Sequence, residues 1–255
     1  MSRIDANPDN IGEQFQEHTK YPYVTTPSDM MLGRPVPPVQ KAARSDAAVL
    51  DLPRTAGGGE RAEPFWRLVE SRRSRRNFAR TPLGLDELAT LLWATQGVLR
   101  VVEGHTMRTV PSAGARHPLE TYVIVNRVDT LEPGLYRYQP VEHRLVAIRE
   151  DSRLADRAAA ACLQQQMVAL CGATFVWTAV IDRARWKYQQ RGYRYIYLDA
   201  GHACQNLYLA CEALGLSCCA IGAVDDDAMN QLIGVDGRDE FVIYLAVVGK
   251  RRGRG

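Results

Sequence analysis

The chain has 255 residues, of which 46% are hydrophobic and 24% charged, and its net charge is +3. These values are ordinary for a globular protein with one sizeable domain or two small ones. With 32 basic against 29 acidic residues, the charge is too balanced for binding to nucleic acid in general. The N-terminus lacks an apolar signal core and no apolar run is long enough to span a membrane, so we expect a cytoplasmic protein.

The cysteines and histidines predict neither disulfides nor a metal site. None of the cysteines forms a C-x-x-C pair, and the five histidines lack metal-ligand spacing. This pattern favours buried, reduced thiols. The six cysteines are Cys162, Cys171, Cys204, Cys211, Cys218 and Cys219.

Residues 1–60 differ in composition from the rest of the chain. They are rich in proline, aspartate and glycine, and the segment ends in three consecutive glycines. We expect an extended or loosely helical arm that wraps the body, with partial disorder as the alternative. Residues 61–255 form the predicted domain.

From Pro64 onward the sequence predicts regular elements. A first helix has Pro64 in its first turn, and a second covers 85–96, where leucines follow the i, i+3, i+4, i+7 spacing. Strands are predicted over 121–128, 134–138, 144–148, 173–181, 218–224 and 241–248, with further helices over 153–170, 196–214 and 225–233. Helices and mostly antiparallel strands alternate without a βαβ rhythm, which favours an α+β fold.

The most basic segment is the run Ser71–Arg76, called here the basic run. Guanidinium groups bind phosphate in a planar manner, and a serine hydroxyl adds a hydrogen bond. Phe78 would anchor the run against the body, although a solvated basic turn is the alternative. Because the chain has neither a G-x-G-x-x-G nor a P-loop pattern, a Rossmann or nucleotide-triphosphate site is not expected.

Lys187 and Tyr188, called here the Lys–Tyr pair, precede the long helix predicted over 196–214. Free lysine and tyrosine side chains have pKa values near about 10, and neighbouring arginines would move them toward neutral pH. The alternative is an inert pair on a solvated helix start. Both residue types can transfer protons when suitably placed.

Three further segments could contact a ligand. The 111–118 loop contains small residues and a glycine that permit close backbone approach to a flat ligand, although an ordinary turn is equally consistent. The strand end 220–223 could offer free amides or be ordinary core. The tail 249–252 carries Lys250 and Arg252 directly after an apolar strand.

In this order, these segments resemble the flavin nitroreductase superfamily, and most closely its SagB-type dehydrogenases, which are azoline oxidases. The segment Glu17–Tyr21 resembles an N-terminal signature of that branch, and Trp186 with the Lys–Tyr pair resembles its most specific motif. Many other nitroreductases have Asn and Trp where this chain has Ala115 and Leu119. This departure favours the oxidase branch.

The resemblance implies an α+β, nitroreductase-like fold with a central, mostly antiparallel sheet flanked by helices. It also implies a homodimer with FMN at each dimer interface. The implied cofactor contacts are Arg72, Arg73, Ser74 and Arg76, Ser112 from the partner chain, the backbone of Ile221 and Gly222 near the ring, and Lys250 and Arg252 at the phosphate. Lys187 and Tyr188 would be the catalytic pair.

The resulting hypothesis is an FMN-dependent dehydrogenase that oxidises an azoline to an azole in a peptide-derived natural product. A ring carbon would lose hydride to flavin N5, and the Lys–Tyr pair would remove the neighbouring proton. The implied partners are a peptide or carrier-bound azoline substrate and a cyclodehydratase or synthetase. The alternatives are an NAD(P)H-dependent nitro- or quinone reductase and a non-catalytic scaffold of a peptide-modifying complex. Nucleic-acid binding is not favoured, because the arginine clusters are assigned to one phosphate site.

Overall fold

The computed structural model describes residues 9–23, 27, 31–33, 59–102 and 105–252. The helices in these ranges are α1 Ile11–His18, α2 Gly59–Ser71, α3 Leu85–Gln96, α4 Leu154–Ala161, α5 Met167–Leu170, α6 Ile181–Tyr188, α7 Gly192–Ala213 and α8 Asp226–Ile233. The strands are β1 Val98–Val102, β2 His105–Arg108, β3 Leu119–Val125, β4 Gly134–Gln139, β5 Arg144–Glu150, β6 Ala173–Val180, β7 Leu216–Ile221 and β8 Glu240–Lys250.

Six strands form one sheet in the order β5-β4-β3-β6-β8-β7, and every neighbouring pair is antiparallel. This confirms the predicted α+β fold with a mostly antiparallel sheet. The remaining two strands, β1 and β2, form a separate hairpin that the sequence did not predict. Strand β1 has apolar residues at four of its five positions, a strand signal that the prediction overlooked, whereas β2 is short and polar.

Helices cover both faces of the sheet. The side chains of β6 enter the two cores alternately, because successive residues of a strand point to opposite faces of the sheet. Phe175 and Trp177 face the core beneath α3 and α7, whereas Val176 faces the core beneath α4 and α8. All three side chains are completely buried. Each buried large apolar side chain contributes about 1.5–3 kcal/mol, so this double-faced core accounts for much of the stability.

The long helix α7 lies against the sheet through a continuous apolar face that includes Ile196, Ala203, Leu207 and Cys211. These positions follow the i, i+4 spacing on which the prediction rested. The helix begins at Gly192, four residues before the predicted start. A side chain there would meet the backbone of Ala184 at 3.1 Å, so the glycine allows α6 and α7 to pack closely.

Three other helix predictions were inaccurate. Helix α6 was not predicted, because three basic residues give its short sequence little apolar periodicity. The helix predicted over 153–170 is interrupted, since Leu163 and Gln164 have φ values of 53° and 63°. Helix α2 begins at Gly59, which places Pro64 inside it rather than in its first turn. The predicted boundary between arm and domain therefore falls within α2.

Part of the N-terminal segment packs on the domain. Phe15 of α1 makes an edge-to-face contact with Tyr197 of α7 at 5.9 Å between ring centroids. The ammonium group of Lys20 lies 2.8 Å from a carboxylate oxygen of Asp227. Residues 1–8, 24–26, 28–30 and 34–58 lie outside the described residues, so the prediction that the whole segment wraps the body stays a prediction.

The six cysteines are all buried and free, as predicted. Among the described residues, no group of three or more histidine, cysteine or acidic side chains could hold a metal ion. In the same part of the chain, no helix combines the length and the apolar character needed to cross a membrane.

Candidate active site

The basic run and the C-terminal tail lie side by side along the edge of the sheet. The amide of Arg75 donates to the carbonyl of Cys218 at 2.8 Å, which attaches the run to β7. The amide of Ala79 donates to the carbonyl of Lys250 at 2.9 Å, and Phe78 bridges to Arg251. Backbone pairing therefore fixes two segments that are separated by more than 170 residues in sequence.

Between these segments lies a cleft of about 740 Å³, called here the arginine cleft. The described residues that line it are Ser74, Arg75, Arg76, Asn77, Ser217, Arg251 and Arg252, none of which is acidic. The hydroxyl of Ser217 is buried without a hydrogen-bond partner, and the residue is 1% exposed. An excess of guanidinium groups and an unpaired buried hydroxyl suit an anion with several acceptor oxygens.

Two of the four arginines are already paired. Arg75 contacts Glu212 at 2.5 Å, and Arg251 contacts the same carboxylate at 3.2 Å. Burial alone would raise the pKa of Glu212, but hydrogen bonding to Arg75 and the positive charge of Arg251 outweigh it and lower the pKa. These salt bridges therefore stabilise the positions of Arg75 and Arg251. Among the described residues, Arg76 and Arg252 are the cations of the cleft without a carboxylate partner.

Tyr208 of α7 connects the basic run to the end of β7. Its hydroxyl lies 2.9 Å from the hydroxyl of Ser74 and accepts a hydrogen bond from the amide of Ala220 at 2.8 Å. The guanidinium of Arg72 lies 5.3 Å from the ring centroid of Tyr208. Tyr208 was not a predicted site residue, because no spacing in the sequence separates it from the other polar positions of α7.

The remaining predicted cofactor contacts have different surroundings. Ile221 is buried at the end of β7, whereas a side chain at Gly222 would meet nothing within 4 Å, so the backbone is open there. Arg73 donates to the carbonyls of Glu70 and Arg72, and Lys250 contacts Glu87 at 2.6 Å. The structure therefore brings Ser74, Arg76 and Arg252 together, while Arg73 and Lys250 make other contacts.

The 111–118 loop is fixed to α7 by a buried carboxylate. Ser112 donates to Asp199 at 2.5 Å, the amide of Ala113 donates to the same carboxylate at 3.1 Å, and the amide of His117 donates to the hydroxyl of Ser112 at 2.9 Å. Burial raises the pKa of Asp199, although the two bonds that it accepts oppose the shift. The sequence did not predict this role of Asp199.

The Lys–Tyr pair converges on Gly114 of the same loop. Gly114 has φ 58°, and a Cβ added to it would lie 2.4 Å from the hydroxyl of Tyr188 and 2.9 Å from Nζ of Lys187. Tyr188 is held in turn by Tyr195, whose ring centroid lies 4.7 Å away in an edge-to-face contact. The close approach requires glycine at position 114.

The arginine cleft and the Lys–Tyr pair lie on different sides of α7 in one protomer. Ser74 reaches the helix at Tyr208, and Ser112 reaches it at Asp199, nine residues earlier. With 3.6 residues per turn, nine residues correspond to a rotation of about 180° and a rise of about 13 Å. The basic run and the 111–118 loop are therefore attached to opposite sides of α7.

Residues 69–250 match the nitroreductase family. A nitroreductase of Methanocaldococcus jannaschii is 36% identical over 180 residues, which cover 71% of this chain and 87% of that protein. The chain belongs to the nitroreductase family. A nitroreductase from Anabaena variabilis has the same fold at 31% identity, with a TM-score of 0.65 over 76% of this chain and 39% of that one.

Two further similarities involve proteins named for peptide products. The trifolitoxin-processing protein TfxB of Rhizobium leguminosarum is 33% identical over 148 residues, which cover 56% of this chain and only 40% of TfxB. The E. coli microcin synthetase McbBCD complex, solved with truncated pro-MccB17 bound, contains a chain with a TM-score of 0.65. That match covers 97% of this chain and 95% of the other at 17% identity, so it shows the fold alone. The similarity to TfxB supports the predicted SagB-type branch.

FMN is the cofactor of this protein, as the resemblance implied. The arginine cleft fits the phosphate end of the cofactor, because it offers Arg76, Arg252 and the hydroxyl of Ser74 without a competing carboxylate. The unpaired hydroxyl of Ser217 would gain a hydrogen-bond partner there. The open backbone at Gly222, at the end of β7, permits close approach of a flat ring.

Proposed function

We propose that this member of the nitroreductase family is an FMN-dependent dehydrogenase that oxidises a heterocycle, an azoline to an azole, in a peptide-derived product. The observation that carries the proposal is the convergence of Nζ of Lys187 and the hydroxyl of Tyr188 on Gly114. Because glycine has no side chain, both proton-transfer groups can reach the same point of the 111–118 loop. Bound FMN supplies a two-electron acceptor for the oxidation.

The chain's own residues would handle the proton that oxidation of an azoline releases. Lys187 and Tyr188 lie at the end of α6, and their positions are fixed by Gly114 and Tyr195. A positioned base of this kind typically accelerates proton removal by about 10²–10⁴-fold. We propose that one member of the pair is the base that takes the proton from the ring carbon, and that the other donates a hydrogen bond to this base.

For the cofactor, we propose that Arg76 and Arg252 bind the phosphate together with Ser74. Arg72 would contribute by holding Tyr208, and the backbone of Ile221 and Gly222 would face the ring. Arg73 and Lys250 would have to leave the contacts that they make with Glu70, Arg72 and Glu87 in order to join them. Ser112 would contribute by fixing the position of the 111–118 loop through its hydrogen bond to Asp199.

We propose a homodimer as the active form. The basic run contacts α7 at Tyr208, and the 111–118 loop contacts it at Asp199 on the opposite side of the helix, which favours a site completed by a second chain. A second copy would place its 111–118 loop beside the arginine cleft of the first. Each of the two sites would then combine residues from both chains.

The substrate class is proposed from two likenesses. TfxB is named for processing trifolitoxin, and the microcin synthetase structure contains a truncated pro-peptide. The fold likeness to a chain of that complex makes a cyclodehydratase or synthetase the class of partner that we propose. The substrate would then be an azoline on a peptide or on a carrier.

The test is mass spectrometry of a thiazoline-containing peptide after incubation with the FMN-loaded protein and oxygen. Loss of two hydrogens from the ring supports the proposal, and the variant K187A provides the control for background oxidation. A nitro- or quinone reductase would instead give rapid bleaching of the flavin by NADPH without an azoline substrate. Bleaching together with an unchanged azoline would overturn the proposal.

A further inference from the structure

A second cavity, separate from the arginine cleft, lies near the start of β3 and the end of β4. It has a volume of about 450 Å³ and is called here the β3–β4 cavity. Its acidic and arginine lining residues are Arg108, Arg116, Arg137, Arg183, Glu120 and Glu142. Among the described residues that line it, four guanidinium groups thus face two carboxylates, which leaves an excess of positive charge.

The pairing inside the β3–β4 cavity increases this imbalance. Glu120 is committed to Arg183 at 2.6 Å. Arg108 has uncharged partners instead, since it donates to the side chains of Gln96 at 2.8 Å and Thr106 at 3.0 Å. Burial, reinforced by the charge of Arg183, lowers the pKa of Arg108 to about 10.

Arg116 and Arg137 also have no carboxylate partner within the described part of the chain. The guanidinium of Arg116 lies 4.6 Å from the ring centroid of Trp186, and its Nε donates to the carbonyl of Arg183 at 3.1 Å. Nε of Arg137 is buried without a hydrogen-bond partner. A partly buried cation without a counter-charge is destabilising, and a bound oxyanion would compensate for it.

The β3–β4 cavity adjoins the catalytic pair through two chain connections. Ala115 lines the cavity and directly follows Gly114, against which Lys187 and Tyr188 pack. Consecutive Cα atoms are about 3.8 Å apart, so the wall of the cavity begins one residue from that contact. In addition, Arg116 stacks on Trp186, the residue before Lys187.

We propose that the β3–β4 cavity binds an oxyanion, a carboxylate or phosphate group carried by the substrate, while the ring to be oxidised lies at the Lys–Tyr pair. The assignment to a substrate rests on the proposed function. The assignment to an oxyanion rests on the cavity alone. The arginines of this cavity belong to different elements from those of the arginine cleft, so the two sites can be tested independently.

The first experiment is calorimetric titration of the FMN-loaded protein with inorganic phosphate, at an ionic strength held constant with chloride. Bound FMN occupies the other phosphate site. We expect one saturable site that R116Q and R137Q each weaken at least about tenfold. E120Q removes a competing carboxylate from Arg183 and should tighten binding, whereas R153Q, on an exposed arginine elsewhere, should change nothing.

The absence of saturable binding in the wild-type protein would overturn the proposal. Equal affinities in R116Q, E120Q and R153Q would overturn it as well. Thermal unfolding of each variant verifies that it is folded. If R137Q does not unfold cooperatively, R116Q and E120Q decide the result, because their expected effects have opposite signs and a general loss of structure cannot produce both.

The second experiment separates a substrate group from a free anion. Turnover is compared for two thiazoline peptides that differ only in one acidic residue or its amide. We expect R137Q to raise the KM of the acidic peptide alone, and phosphate to compete with that peptide alone. Equal KM values for the acidic peptide in R137Q and in the wild-type protein would reject the assignment of the oxyanion to the substrate. Lack of turnover with both peptides, with phosphate still bound, would contradict the proposed function and leave the oxyanion site standing.

Discussion

Lys187 and Gly114 are in direct contact, so that a single methyl group added to the glycine would lie 2.9 Å from Nζ of the lysine. The two residues are 73 positions apart in sequence and belong to a helix end and a loop. The same methyl group would lie 2.4 Å from the hydroxyl of Tyr188. This contact defines the position of both proposed catalytic side chains, and it can be altered without removing either of them.

The variant G114A tests that contact. The added methyl group must displace Tyr188 and Lys187, and displacements on the order of 1 Å can reduce turnover about 100-fold. We expect kcat to fall while FMN content stays unchanged. G234A is the matched control, because Gly234 also has a positive φ, 88°, but an added Cβ would meet nothing within 4 Å. Equal kcat values in the two variants would contradict the assigned geometry.

The variants K187A and Y188F separate the roles of the pair. Both should retain the flavin absorbance, since neither residue lines the arginine cleft. Loss of the general base should reduce kcat about 10²–10⁴-fold, and loss of its hydrogen-bond partner should cost less. Steady-state turnover with an azoline peptide identifies which residue is which. If both variants keep full turnover, the pair has no role in proton transfer.

FMN retention is expected to depend on arginines inside the cleft and not on those beside it. R76Q removes a cleft cation without a carboxylate partner among the described residues, so we expect a large loss of flavin after gel filtration. R73Q is the control, because Arg73 is exposed and donates only to carbonyls of its own segment. Absorbance in the visible flavin bands gives the ratio of FMN to protein. Equal ratios for R76Q and R73Q would place the phosphate elsewhere.

The residue after the Lys–Tyr pair has a strained backbone. Gln189 adopts φ 50° and ψ −139°, a combination that glycine tolerates and other residues disfavour. Q189G should therefore raise the free energy of unfolding by about 1 kcal/mol, after the entropy cost of glycine is subtracted. We also expect kcat to fall, because the pair is then held less firmly. Urea unfolding and turnover measure the two effects. A lower free energy of unfolding in Q189G than in the wild-type protein would contradict a strained backbone at Gln189.

Much of the fold could be predicted from the sequence because its periodicities are local. Helix α3 and strands β4 and β6 could be predicted from the spacing of their apolar residues and from the turn residues that flank them. The site was only partly predictable, since a motif identifies residue types and not their partners. Lys250 illustrates the difference: the family resemblance implied phosphate binding, yet its ammonium group is paired with Glu87 of α3. Asp199 and Tyr208 were missed because their importance arises only from contacts made in three dimensions.

His117 should make stability depend on pH. Burial, together with the charge of Arg108, lowers the pKa of His117 from 6.5 to about 4. Between these values the unfolded chain binds a proton that the folded protein does not, so the free energy of unfolding falls as the pH decreases from 6.5 to 4. The shift corresponds to a loss on the order of 3 kcal/mol.

The variant H117N should remove most of this slope, because asparagine does not titrate there and tolerates the φ of 45° at this position. H143N is the control, since His143 also has a positive φ, 49°, but is exposed on the β4–β5 turn. Urea unfolding at several pH values between 4 and 7 measures the slopes. A wild-type slope that survives in H117N would show that another group is responsible, and would remove the support for a positively charged environment around this loop.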